Sequence, residues 1–221
     1  MSMEFHRHMD QELDRLNDTV LRLGGESERA LVRSMQALDE RDDEIAREVL
    51  DHDDAVDQLE VDVDQQCVDI FALRQPAARD LRFVMSVAKM APVLERIADH
   101  ASNIARVVIE LNKEPELKGE VRLQQMGAVA SAMLSAALDA FTRRDAAAAR
   151  EVIGRDAEIN LLYNEIFHNL IELMSIEPGT ATRDARLLFI AKHLERIGDY
   201  VTDICELTVY MAEASIIKHR H

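Results

Sequence analysis

Apolar residues recur three and four positions apart through most of the chain, the period of a helix buried along one face. The run from 49 to 73 shows it clearly. Val49, His52, Val56, Leu59, Val63, Gln66, Ile70 and Leu73 form a seam with two polar intruders. The same period predicts six long helices, near 4–40, 42–73, 77–112, 119–143, 145–175 and 181–213. Asp42 and Asp145 are placed to cap helix starts with their carboxylates. Pro76 and Pro178 separate the second helix of each half from the third, since proline is tolerated only in a helix's first turn. Gly24-Gly25 marks a kink or a close helix contact inside a continuous first helix.

The chain repeats itself. Shifted by 103, residues 37–60 match 140–163 at nine of 24 positions, among them Arg41/Arg144, Asp42/Asp145 and Asp53/Asp156; chance gives roughly two. Leu94-Glu95-Arg96-Ile97-Ala98-Asp99 matches Leu194-Glu195-Arg196-Ile197-Gly198-Asp199 at a shift of 100. Between these blocks, Arg79-Asp80-Leu81-Arg82 matches Arg183-Asp184-Ala185-Arg186 at 104. The lost four residues are about one helical turn, so the same face stays inward. The expected fold is all-α: two tandem antiparallel three-helix bundles, residues 1–114 and 115–221, joined near Glu114-Pro115 and Lys118-Gly119.

Composition agrees with long helices. The 221 residues include only 7 Gly and 4 Pro, too few turn formers for a sandwich or barrel. The net charge is −16, which disfavours nucleic acid and anionic membrane surfaces and favours cations and basic protein patches. There is no Trp to stack on bases. No apolar run is long enough to span a bilayer and no signal peptide is evident, so a cytoplasmic protein is expected. Cys67 and Cys205 read as small buried hydrophobes in a reducing compartment.

The acid is concentrated. Residues 39–69 carry fourteen Asp and Glu against two Arg. Asp53, Asp57, Glu60 and Asp64 form one stripe. Glu95 and Asp99 stand four apart on the third helix, and Glu195, Asp199 and Asp203 repeat that ladder on the sixth. Asp156 heads the matching stripe on the fifth, with Asn160 in place of an acid. Like charges four apart destabilise a helix, so something offsets them. The two candidates are neighbouring arginines, as a salt-bridged surface, or a hard or borderline divalent cation. A ferritin-like di-iron enzyme needs two Glu-x-x-His motifs; Glu165 and His168 supply one. The terminal histidines His6, His8, His219 and His221 read as tail residues rather than ligands. No P-loop, Gly-x-Ser-x-Gly or Gly-x-Gly-x-x-Gly is present, so neither an enzyme nor an organic cofactor is expected.

Two in-register copies of Leu-Glu-Arg-Ile-x-Asp, the turn Leu73-Arg74-Gln75-Pro76-Ala77-Ala78-Arg79-Asp80-Leu81-Arg82 and the run Asp53-x-x-Val56-Asp57-x-Leu59-Glu60 resemble the PhoU family of bacterial phosphate-uptake regulators over about residues 5–211. The resemblance implies a non-enzymatic negative regulator of the phosphate-starvation response. Its expected partners are the phosphate importer ATPase and a sensor histidine kinase; a second copy of the chain is expected separately, because long amphipathic bundles often leave an apolar strip. The resemblance also implies Fe, Zn or another divalent metal on Asp53, Asp57, Glu95 and Asp99 in the first half, and on Asp156, Glu195 and Asp199 in the second. Asp203 extends the second set by spacing. The alternatives are a metal-dependent carboxylate-bundle enzyme and a metal store. Asn160 predicts a weaker second site, Pro92 a bend before Glu95, and Ala98 stands where a glycine is more usual.

Overall fold

The computed structural model describes residues 2–115 and 121–217, with side chains from residue 8 onward. His6, His219 and His221 lie outside the described side chains. The helices are α1 (Ser2–Glu40), α2 (Asp43–Asp51), α3 (Asp53–Arg74), α4 (Ala78–Leu111), α5 (Leu123–Arg143), α6 (Ala146–Gly154), α7 (Asp156–Ile176) and α8 (Ala181–Glu213). No strand occurs among the described residues. The fold is all-α, two three-helix bundles with six long helices.

One expectation needs correction. The second helix of each half is not continuous. It breaks at His52 and at the equivalent Arg155, giving nine-residue α2 and α6 ahead of α3 and α7. At each break the backbone closes with i→i−3 bonds, His52 N–H to the Val49 carbonyl and Arg155 N–H to the Val152 carbonyl. The seam runs through the break because one tightened turn shifts the helical phase only slightly. Leu73, the last seam residue, is 64% exposed because α3 ends one residue later, beyond the core.

The punctuation lies where the sequence puts it. Arg41 and Arg144 adopt left-handed backbone conformations (φ 52° and 53°) that turn the chain back. Asp42 then accepts from the Glu44 and Ile45 amides, and Asp145 from Ala147 and Ala148. Pro178 opens a short 3₁₀ turn before α8. Pro92 lies inside an α4 assigned as one helix from Ala78 to Leu111.

The two halves share one hydrophobic core. It runs from Leu16, Leu23 and Leu31 on α1, through Met90, Leu94 and Ile104 on α4, to Met133, Ile197 and Ile204 in the second half. α4 crosses α8 antiparallel: the Ser86 hydroxyl donates to the Leu207 carbonyl at 3.5 Å, and His100 meets His193 farther along. α1 packs against α5. Here Gly24 is the close contact, since a Cβ on it would stand 2.6 Å from Leu138. Ser27 ties α1 to α4 by donating to the Leu94 carbonyl at 2.9 Å. Cys67 and Cys205 are buried and free, and burial raises both thiols to about 12. Protonated at neutral pH, they act as small hydrophobes.

Candidate functional site

The breaks at His52 and Arg155 place Asp53 and Asp156 at the first residue of α3 and α7. There the helix dipole favours a carboxylate. Each carboxylate sits beside the helix that bears its half's Glu-Arg-Ile-x-Asp segment, α4 or α8. The break was missed because the apolar period crosses it. The available signal was a basic residue followed by Asp, which ends one helix and starts another.

In the first half, Asp57 and Glu60 on α3 lie within electrostatic reach of Glu95 and Asp99 on α4, while Asp53 stands beside Asp57 and faces Ser102 and Arg106 of α4. Burial, then repulsion from Asp99, Glu60 and Asp57, pushes Glu95 up to about 7; nearby Arg96 opposes the rise. Burial and neighbouring acids also raise Asp57 and Glu60. Asp53 is provided for differently. Its Oδ1 accepts from the buried Ser102 hydroxyl at 2.8 Å, and its Oδ2 pairs with Arg106 at 3.6 Å. It borders a pocket of about 30 Å³, room for a single water.

In the second half, Asp156, Asn160, Glu195, Asp199 and Asp203 line one open cleft of about 720 Å³, with Arg196 and Tyr200 at its side. Asp156 is 4% exposed. Its Oδ2 accepts from the Asn160 amide at 2.7 Å, while its buried Oδ1 has no hydrogen-bond partner. Glu195 pairs with Lys192 at 2.7 Å and Asp199 with Arg196 at 3.0 Å. Both are solvent-facing ion pairs of the kind worth about 0–1 kcal/mol. The second-half four, Asp156, Glu195, Asp199 and Asp203, thus line one cleft, whereas in the first half Asp57, Glu95 and Asp99 interact and Asp53 is held apart by Ser102 and Arg106. Among the described residues, no three His, Cys, Asp or Glu side chains form a ready ligand set for a metal. Glu165 of the lone Glu-x-x-His pairs with Arg122.

Sequence reading missed the contact between the halves. His100 and His193 face each other with Nδ1 atoms 2.8 Å apart, so one ring donates and the other accepts. Burial lowers both, then the Arg196 charge lowers His100 and His100 lowers His193, the latter to about 4. The His100 ring stacks on Tyr200, and the guanidiniums of Arg96 and Arg196 lie over the same phenol ring. No sequence signal marks this cluster: Arg96 and Arg196, and His100 and Tyr200, are equivalent positions of the repeat, but nothing in their spacing shows that α4 and α8 bring them together, and His193 has Val93 as its counterpart.

The PhoU domain model matches residues 20–108 and again 123–208, one copy per bundle. The chain belongs to the PhoU family. It is 34% identical over 211 residues to a phosphate-specific transport system accessory protein PhoU homolog of Aquifex aeolicus, covering 96% of both chains. It superimposes on the crystal structure of PhoU from Pseudomonas aeruginosa with TM-score 0.90 at 35% identity, covering 93% of this chain and 99% of that one. The phosphate transport system regulatory protein PhoU from Streptococcus pneumoniae gives 0.88 at 31%, covering 96% and 100%. No helix among the described residues is long and apolar enough to cross a membrane.

Proposed function

We propose that this protein is a cytoplasmic, non-enzymatic adaptor that restrains the phosphate-starvation response, linking the phosphate importer's ATPase to a sensor histidine kinase. The observation that carries this reading is the family match in both halves, with relatives named as accessory or regulatory proteins of phosphate transport. The surface supports it physically. The exposed face of α3 presents Asp54, Asp57, Asp62, Asp64 and Asp69 around Val61 and Val68. An acidic face with an apolar centre suits a basic amphipathic surface on a partner. A second copy docks through Leu161, Ile171 and Phe189, large apolar side chains exposed on α7 and α8.

Divalent cations belong to the same reading, on Asp53, Asp57, Glu95 and Asp99 and on Asp156, Glu195, Asp199 and Asp203. Two observations support them: burial, with repulsion from the facing acids behind it, that raises Glu95 to about 7, and the unpartnered buried Oδ1 of Asp156. The donors are carboxylate oxygens, the type a hard cation takes, and as they stand no three of them form a ligand set. The carboxylates now turned toward Lys192 and Arg196 exchange those exposed partners on binding. The test is deletion of the gene in its host. Phosphate-starvation genes then switch on in phosphate-rich medium; unchanged expression refutes the adaptor reading.

A further inference from the structure

The duplication produces two sets of three arginines, and only one set is neutralised. Arg41, Arg183 and Arg186 are the repeat equivalents of Arg144, Arg79 and Arg82. Arg183 donates twice to Asp184, both bonds at 3.0 Å, and Asp184 is fully buried. Arg186 pairs with Glu114 at 2.9 Å and reaches Glu110 at 3.9 Å. Arg41 donates to the carbonyls of Leu111, Asn112 and Glu114 at the end of α4.

The other three lack these bonds. At the matching end of α8 the repeat puts Tyr210 for Glu110 and Ala214 for Glu114. Among the described residues, Arg79, Arg82 and Arg144 make no ion pair, and the half-buried Arg82 keeps its Nε without an acceptor. The Arg144 guanidinium lies 5.2 Å over the ring of Phe83, beside the turn of α4 that carries Arg79 and Arg82. Phe83 is buried and stacks on Phe141 of α5, so the ring that seats Arg144 is fixed. Burial, then the Arg79 charge, lowers Arg144, and Asp80 opposes the fall. Three guanidiniums with one carboxylate leave a surplus of two positive charges in a chain of net charge −16. At physiological ionic strength the wider negative field is screened beyond about 8 Å, so the local surplus decides.

Guanidinium forks bind tetrahedral oxyanions through paired hydrogen bonds. Hydrogen phosphate carries the matching double charge and keeps one O–H donor, which a carboxylate such as Asp80 accepts; sulfate has no such donor. The geometry points to Arg79, Arg82 and Arg144, with Asp80, as a site for phosphate, either the free ion or the phosphoryl group of a small monoester. The equivalent set around Arg186 is closed to it by Glu110, Glu114 and Asp184. The inference goes beyond the adaptor reading and does not depend on it.

The test titrates the full-length chain with inorganic phosphate, sulfate and adenosine monophosphate by isothermal titration calorimetry, in chloride buffer of about 0.15 M ionic strength. Circular dichroism checks the fold of each variant. The wild type takes up one phosphate per chain and binds sulfate at least fivefold more weakly. Arg82→Gln and Arg144→Gln each weaken phosphate binding at least fivefold. Arg186→Gln removes the same formal charge from the neutralised set and changes it less than twofold. Phosphate binding without a response to adenosine monophosphate marks the free ion as the ligand, and equal binding of the two marks a site open to monoesters. Absence of phosphate binding by the wild type overturns the inference. So does sulfate bound as tightly as phosphate, a loss in Arg186→Gln as large as in Arg82→Gln, or binding indifferent to both Arg82→Gln and Arg144→Gln. In each of these cases the adaptor reading still stands on its gene-deletion test.

Discussion

Glu95 is the residue on which the first cluster's electrostatics converge. It keeps its proton to about 7 in the folded chain, against 4.5 as the ordinary value. Between those values the native state binds more protons than the unfolded one. Stability therefore falls as pH rises through that window, and the contribution is gone above about 7. Glu95 is only half-buried, so solvent screening limits the effect to about 1 kcal/mol. Glu95→Gln removes the penalty: with chelator present, urea unfolding is expected to show the variant more stable than the parent at pH 8 and little different at pH 4.5. An unchanged pH profile would show that burial and the facing carboxylates do not hold the Glu95 proton as placed. No spacing argument foretells the size of this effect, because it depends on how close α3 and α4 bring their acids.

At the scale of elements, the repeat is kept in its turns. Arg41 and Arg144 take the same left-handed conformation, and Asp42 and Asp145 cap the helices that follow with the same pair of backbone bonds. Asp42→Ala and Asp145→Ala are each expected to cost about 1 kcal/mol, measured by urea denaturation. Because the two caps have the same geometry, their costs are expected to agree within about 0.5 kcal/mol; a large difference would mean that one cap is backed by contacts its twin lacks. The caps were legible because a carboxylate before an apolar period is a local signal. The breaks at His52 and Arg155 were not, since a single turn barely disturbs the period. Those breaks matter most for the site, as they set Asp53 and Asp156 at helix starts.

For the whole molecule, the decisive feature is that the repeats do not have separate cores. Leu94 and Ile97 on α4 and Leu194 and Ile197 on α8 are fully buried in one cluster. The Gly24–Leu138 approach and the His100–His193 pair cross between the halves. Unfolding is therefore expected to be a single cooperative transition by calorimetry, despite the two-repeat sequence. Two resolved transitions would mean that the halves melt as independent bundles. Separated residues 1–114 should lose most of this stability, because the face of α4 that packs on α8 would meet water.

The sequence by itself determined the helices, their caps, the duplication and the membership of each acidic stripe. All of these are written in local periods and in residues a fixed number of turns apart, and local spacing survives any arrangement of the bundles. Only the tertiary structure decided which oxygens are satisfied. Asp53 and Asp156 look alike in the chain, yet one meets a buried hydroxyl and a guanidinium while the other keeps a bare buried oxygen. The difference lies about fifty residues away, on a neighbouring helix, where a threonine hydroxyl turns back to its own backbone. Whether a polar atom finds a partner depends on what packing brings to it across space.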